Sequence, residues 1–184
     1  MGVNRLPFFE NYKDRGDKMQ DVLWLFPVVF MVHEMEEIIG LRIWLEKNID
    51  ITKKYSRISK TYQNITTEAF SVAVLEEYLL TIIITTLSIY FKIYLLWIGV
   101  FIAFAVHLVI HIISSIIIRR YIPALATSIL LLPISLFLIN KVIIELHYST
   151  FSVIIASLLC FIIMLINLMF IHKLMRKVSE KFNN

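Results

Sequence analysis

Five long apolar runs separated by short charged breaks leave this chain few ways to fold. A run of about 20 apolar residues matches a hydrocarbon core of about 30 Å as a helix, which satisfies its own backbone polar groups. Hydrophobic residues make up 59% of the 184, and the chain has only four glycines and four prolines. Its mean hydropathy is +0.78, well above that of an ordinary soluble domain. The expected fold class is therefore all-α, an integral membrane bundle of about five transmembrane helices. It is expected over residues 21–171, between a polar leader at 1–20 and a basic tail at 172–184.

The expected spans run from about Asp21 to Trp44, Thr67 to Tyr90, Tyr94 to Ile118, Pro123 to Asn140 and Phe151 to Ile171. Pro27 should free a backbone carbonyl in the first span and kink it ahead of His33. The leader carries Arg5, Glu10, Lys13, Asp14, Arg15, Asp17 and Lys18 and lacks the pattern of a signal peptide, so it is expected to stay on the protein. Lys and Arg gather in the loop from Lys47 to Thr66 (Lys53, Lys54, Arg57, Lys60), at Arg119-Arg120 and in the tail (Lys173, Arg176, Lys177, Lys181), with Lys92 and Lys141 alone on the other side. The positive-inside rule then places the amino terminus outside and the carboxyl terminus in the cytoplasm of a plasma-membrane protein. The net charge of +4 is explained by lipid headgroups and needs no nucleic acid. A lone cysteine, Cys160, allows no intrachain disulfide. No internal repeat supports an inverted-repeat transporter.

Inside the first span lies Val32-His33-Glu34-Met35-Glu36-Glu37. An acidic side chain at the bilayer centre costs roughly 2.5–3.5 kcal/mol on insertion scales, so three in one turn need partners, protons or a metal. Helical spacing puts His33, Glu36 and Glu37 on one face with Glu34 to its side. His107 and His111, at i and i+4 of the third span, suit one shared ion, and of the adjacent Glu76 and Glu77 only one can face a common centre. At about 1.5 Å per residue, His33 lies roughly 18 Å and His107 roughly 20 Å from one side, and Glu76 roughly 13 Å from the other. In an antiparallel bundle all three reach one level.

The candidate metal ligands are therefore His33, Glu36, Glu37, Glu76, Glu77, His107 and His111, with Glu37 the candidate general base. Imidazoles and carboxylates suit one or two divalent ions, iron, manganese or zinc, and the absence of thiolates argues against a structural zinc. The bland alternative is a polar network gluing the helices. Such bonds average about 0.6 kcal/mol, too little to offset so many buried acids. Other polar residues have plainer readings: Arg42 as a snorkelling residue or ion-pair partner, Tyr121 as an interface anchor or else a proton donor that reaches the site, Asn140 as a helix terminus, and Glu145, His147 and His172 as solvated groups.

The run His33-x-x-Glu36-Glu37 in a first span, acids in the second, a His in the third and Tyr121-x-Pro123 after it resemble the HXXEE-domain family of bacterial integral membrane proteins. The resemblance covers roughly residues 21–140. In that family an Asn four residues before the histidine and a Gly after Tyr-x-Pro are usual, where this chain has Ala103 and Ala124. The resemblance implies a membrane fold and a metal site, and names no substrate. A weaker resemblance, from Glu36-Glu37, Arg42 and the later histidines, is to intramembrane glutamic proteases of the CAAX-processing type.

The first expectation for function is a metal-dependent membrane enzyme acting on a membrane lipid or another hydrophobic small molecule, as a di-iron oxidoreductase or desaturase or as a zinc hydrolase. The alternatives are a proton or divalent-cation transporter and a metal-free glutamic protease.

Overall fold

A computed structural model describes residues 7–55 and 65–182; the expected roles of Arg5, Arg57 and Lys60 lie outside these residues. Among the described residues the chain forms six helices and no strand: α1 (Pro7–Lys47), α2 (Ile49–Lys54), α3 (Thr67–Tyr90), α4 (Tyr94–Ile118), α5 (Leu125–Leu146) and α6 (Thr150–Phe182). The protein is an all-helical bundle. Four helices, α3 to α6, are long and apolar enough to cross a membrane. The fifth expected span lies within α1, whose central turns carry Glu34, Glu36 and Glu37 and are too charged to qualify on composition alone.

Boundaries differ from expectation where apolar runs end but packing continues. α5 runs on past Asn140 to Leu146 because Ile139 and Val142 are buried on its inner side, so Asn140 is mid-helix and not a terminus. The segment expected as a basic tail is, as far as Phe182, the end of α6. There Met175 and Ser179 are buried, the Ser179 hydroxyl accepts a bond from the Thr66 amide at 3.1 Å, and Lys173, Arg176 and Lys177 stay exposed. His172 is half-buried inside this helix, while Glu145 and His147 are exposed as expected. From Pro7 onward the leader is the first part of α1.

The most apolar helix, α4, packs along α5 and α6 and touches α3 and α1; α1 lies against α3 and α5, and α3 against α6. Gly99 lets α4 and α6 approach: a Cβ there would stand 2.7 Å from Cys160 Sγ and 2.8 Å from the Ala156 carbonyl oxygen. With few glycines available, the left-handed residues in the connections are Lys92, Arg119, Ala124 and His147.

α1 continues through the buried Pro27. Proline has no N–H to offer the carbonyl four residues earlier, that of Leu23, and an unpaired carbonyl here would be buried. Trp97 of α4, itself fully buried, donates its indole Nε1–H to that oxygen at 3.0 Å. Phe26 stacks on Phe101 at 4.5 Å and meets the edge of Trp97 at 6.1 Å, locking α1 to α4 just above His33.

Trp97→Phe should therefore lower stability by about 1–3 kcal/mol, the usual cost of orphaning a buried acceptor. Adding Pro27→Ala, which restores an N–H for Leu23, should recover most of the loss, as thermal unfolding in detergent would show; a purely additive double variant would refute the pairing.

Candidate functional site

The aromatic column of α1 and α4 ends on three imidazoles. Phe104 meets the His33 ring edge at 5.6 Å and stacks on His107 at 6.2 Å. One ligand-capable nitrogen from each of His33, His107 and His111 falls within 4.8 Å of the other two, and His107 Nε2 and His111 Nε2 are 3.0 Å apart. His33 is fully buried and its Nε2 has no hydrogen-bond partner. His107 keeps 34% of its side chain accessible, whereas His33 is closed off altogether.

Carboxylates crowd one side of the cluster. Glu34 Oε1 is 3.9 Å from His107 Nε2, and Glu37 Oε1 is 3.6 Å from His111 Nε2. Glu77, across on α3, is within electrostatic reach of both Glu34 and Glu37. Its neighbour Glu76 turns toward α6 and accepts a bond from Asn167 Nδ2 at 3.3 Å.

Glu36 faces the start of α5. That helix has no side-chain cap of its own, since its N-cap position is Ala124, held at φ 71°. The Glu36 carboxylate takes that part from another helix: Oε2 accepts the Thr127 amide at 2.7 Å and the Thr127 hydroxyl at 2.6 Å, and Oε1 accepts the Ala126 amide at 3.3 Å and the Tyr121 hydroxyl. A carboxylate at a helix start satisfies orphan amides and complements the positive end of the helix dipole. The other side of the Thr127 hydroxyl is 3.1 Å from His33 Nδ1.

The α4–α5 turn can come this close because α1 presents Gly40, where a Cβ would stand 3.2 Å from Pro123 Cβ. Trp44 Nε1 donates to the Tyr121 carbonyl at 2.6 Å, and Arg120 pairs with Asp50 at 2.9 Å and donates to Asn48 at 3.0 Å. The bond from Arg120 holds the exposed Asp50 carboxyl below the usual carboxylate range. Arg42 pairs with Glu46 at 2.7 Å, its expected ion-pair role, with a different carboxylate from those at the centre.

Of the candidate ligands, then, His33, His107 and His111 converge, with Glu37 beside His111 and Glu77 in electrostatic reach of Glu37. Glu36 and Glu76 are engaged elsewhere. Sequence reasoning set Glu34 aside, yet it is 4% exposed and faces His107. It also missed Thr127, for which no spacing gave a signal. Tyr121, read as an interface anchor, reaches Glu36; the Tyr121-x-Pro123 motif was the available clue.

Partial burial and the bond to the Glu36 carboxylate push the Tyr121 hydroxyl up to about 12. The fold thus favours the neutral phenol: the stability it contributes is complete below the ordinary value of about 10 and is lost as pH rises through about 12. In an ultraviolet titration, a phenolate step near 12 should vanish in Tyr121→Phe and move down toward 10 in Glu36→Gln. A wild-type step at the ordinary value would contradict the bond.

No curated protein and no solved structure matches this chain significantly. A family model described as "protein of unknown function with HXXEE motif" matches residues 24–138, more than half of the chain, from α1 through most of α5. The matched stretch contains the three imidazoles, the carboxylates around them and the Tyr121–Pro123 turn, and on that match the chain belongs to the HXXEE family.

Proposed function

We propose that the protein is a membrane-embedded, metal-dependent enzyme whose ion is held by His33, His107 and His111 and whose substrate is lipid-soluble. The observation that carries this reading is the set of three ring nitrogens, one from each histidine, within 4.8 Å of one another, beside a His33 Nε2 that is buried with nothing to bond. A buried, unpaired polar atom costs free energy that a ligand would recover. Three protein ligands leave the open position of a catalytic site. When bound, a zinc or iron ion would supply Lewis acidity or an activated water.

The protein's own groups account for the rest. Glu37, beside His111, is placed to take a proton as general base; Glu34 and Glu77 add negative charge that offsets that of an ion. The three-imidazole cluster tilts the choice toward zinc and hydrolysis. Glu34, Glu37 and Glu77 keep a second ion, and with it oxidative di-iron chemistry, within reach. The accessible edge of His107, in the middle of an apolar helix, supports entry from the hydrocarbon.

Membrane placement follows the same charges. Arg120–Asp50 and Thr66–Ser179 tie the ends of α4 and α6 to α2 and the start of α3, so most Lys and Arg share one end of the bundle. That end is assigned to the cytoplasm, with α1 as a fifth span running inward from outside.

Protein purified in mild detergent should bind close to one equivalent of zinc or iron, and His33→Ala and His107→Ala should each weaken that binding by more than tenfold. Wild-type protein that is folded yet binds neither metal on titration would overturn the proposal.

A second reading, a proton or cation carrier, is favoured by one observation. On α3, Thr81, Thr85 and Ser88 continue the face of Glu77 and are buried, and the hydroxyls of Thr85 and Ser88 have no partner. A carrier predicts ion flux in proteoliposomes that falls severalfold in Thr85→Val/Ser88→Ala. Absence of flux from metal-loaded protein would select the enzyme.

A further inference from the structure

We propose that Thr127 is a positioning residue which, with Glu36, fixes His33 in the tautomer protonated at Nδ1 and so leaves Nε2 bare as the nitrogen free for an ion shared with His107 and His111. This rests on the reading of the three imidazoles as a metal site, and it assigns the motif's first glutamate a task other than binding the ion.

The assignment follows from counting protons. Glu36 receives the hydroxyl of Tyr121, the amides of Ala126 and Thr127 and the hydroxyl of Thr127, so both of its oxygens act as acceptors. The Thr127 hydroxyl has one proton. Its contact with Glu36 Oε2 is 2.6 Å, against 3.3 Å to the Ala124 carbonyl, so the proton goes to the carboxylate. Toward His33 Nδ1, at 3.1 Å, the hydroxyl oxygen then has only a lone pair, and the ring nitrogen must donate. A neutral imidazole with its proton on Nδ1 has an unprotonated Nε2. The opposite tautomer would bury an N–H with no acceptor at Nε2 and set two lone pairs against each other at Nδ1.

Each link is anchored by backbone. Glu36 caps the first turn of α5, Thr127 stands in that turn, and Gly40 admits the turn against α1. A metal-binding histidine donates its second ring N–H to an acceptor that sets tautomer and ring orientation, and loss of such a partner typically costs 10–100-fold in metal affinity. Here that partner is a hydroxyl, itself aimed by a carboxylate.

The test compares wild type, Thr127→Val and Thr127→Ser in detergent, with two readouts. Nitrogen NMR of metal-free, histidine-labelled protein, with His33 assigned against His33→Gln, should show the Nδ1–H form in wild type and Thr127→Ser and its loss in Thr127→Val. Titration with cobalt(II), a spectroscopic stand-in for zinc, should show affinity about 10–100-fold lower in Thr127→Val and within a few-fold of wild type in Thr127→Ser. If Thr127→Val keeps both the tautomer and the affinity, the positioning role is refuted while the metal site stands. If the tautomer depends on Thr127 but wild type takes up no cobalt, the metal site is refuted and the tautomer control stands.

Discussion

A carboxylate on a helix packed among apolar neighbours must find donors, and the answer to that demand at Glu36 organises much of this structure. Its four donors come from the α4–α5 turn and the first turn of α5. The same contact solves a second problem, because α5 begins at Ala124 without a side chain able to cap its amides. One interaction thus removes two unsatisfied sets of groups. It also fixes how α5 meets α1, and with it the place of Thr127 beside His33.

A similar economy holds at the other end of the site. Pro27 opens the backbone of α1 at the Leu23 carbonyl, and Trp97 closes it from α4. The aromatic rings packed between these helices make a stiff wall that ends on His33, so the imidazole cluster rests on rigid elements. The carboxylate side is different in kind: Glu34 lies 3.9 Å from His107 and Glu37 3.6 Å from His111, with Glu77 in electrostatic reach of both acids, a grouping of acidic side chains hard to justify as helix glue.

Much of this was legible in the residues, and the exceptions have a common cause. Periodicity gives the angles between side chains on a helix but not the rotation of that helix toward its neighbours. His33, Glu37 and Glu34 span about 100° of α1, with Glu36 about 60° beyond His33 on the other side. A face centred on His33 includes Glu36 and drops Glu34; the face that meets His107 and His111 holds Glu34 and Glu37, while Glu36 turns to α5. The same limit applied to Glu76 and Glu77, where spacing showed that one must turn away and only the position of α6, bringing Asn167, decided which.

The sequence by itself determined the all-helical architecture, the four independently apolar spans, the freed carbonyl at Pro27 and the shared level at which His33 meets His107 and His111, because hydropathy, proline chemistry and helical rise are local properties. Tertiary structure alone decided that Glu36 caps α5, that Tyr121 reaches it, that Thr127 stands between Glu36 and His33, and that Glu34 belongs with the imidazoles. Those contacts join residues about 70 to 95 positions apart. Their partners are chosen by how helices rotate and approach at Gly40 and Gly99, which no local pattern encodes.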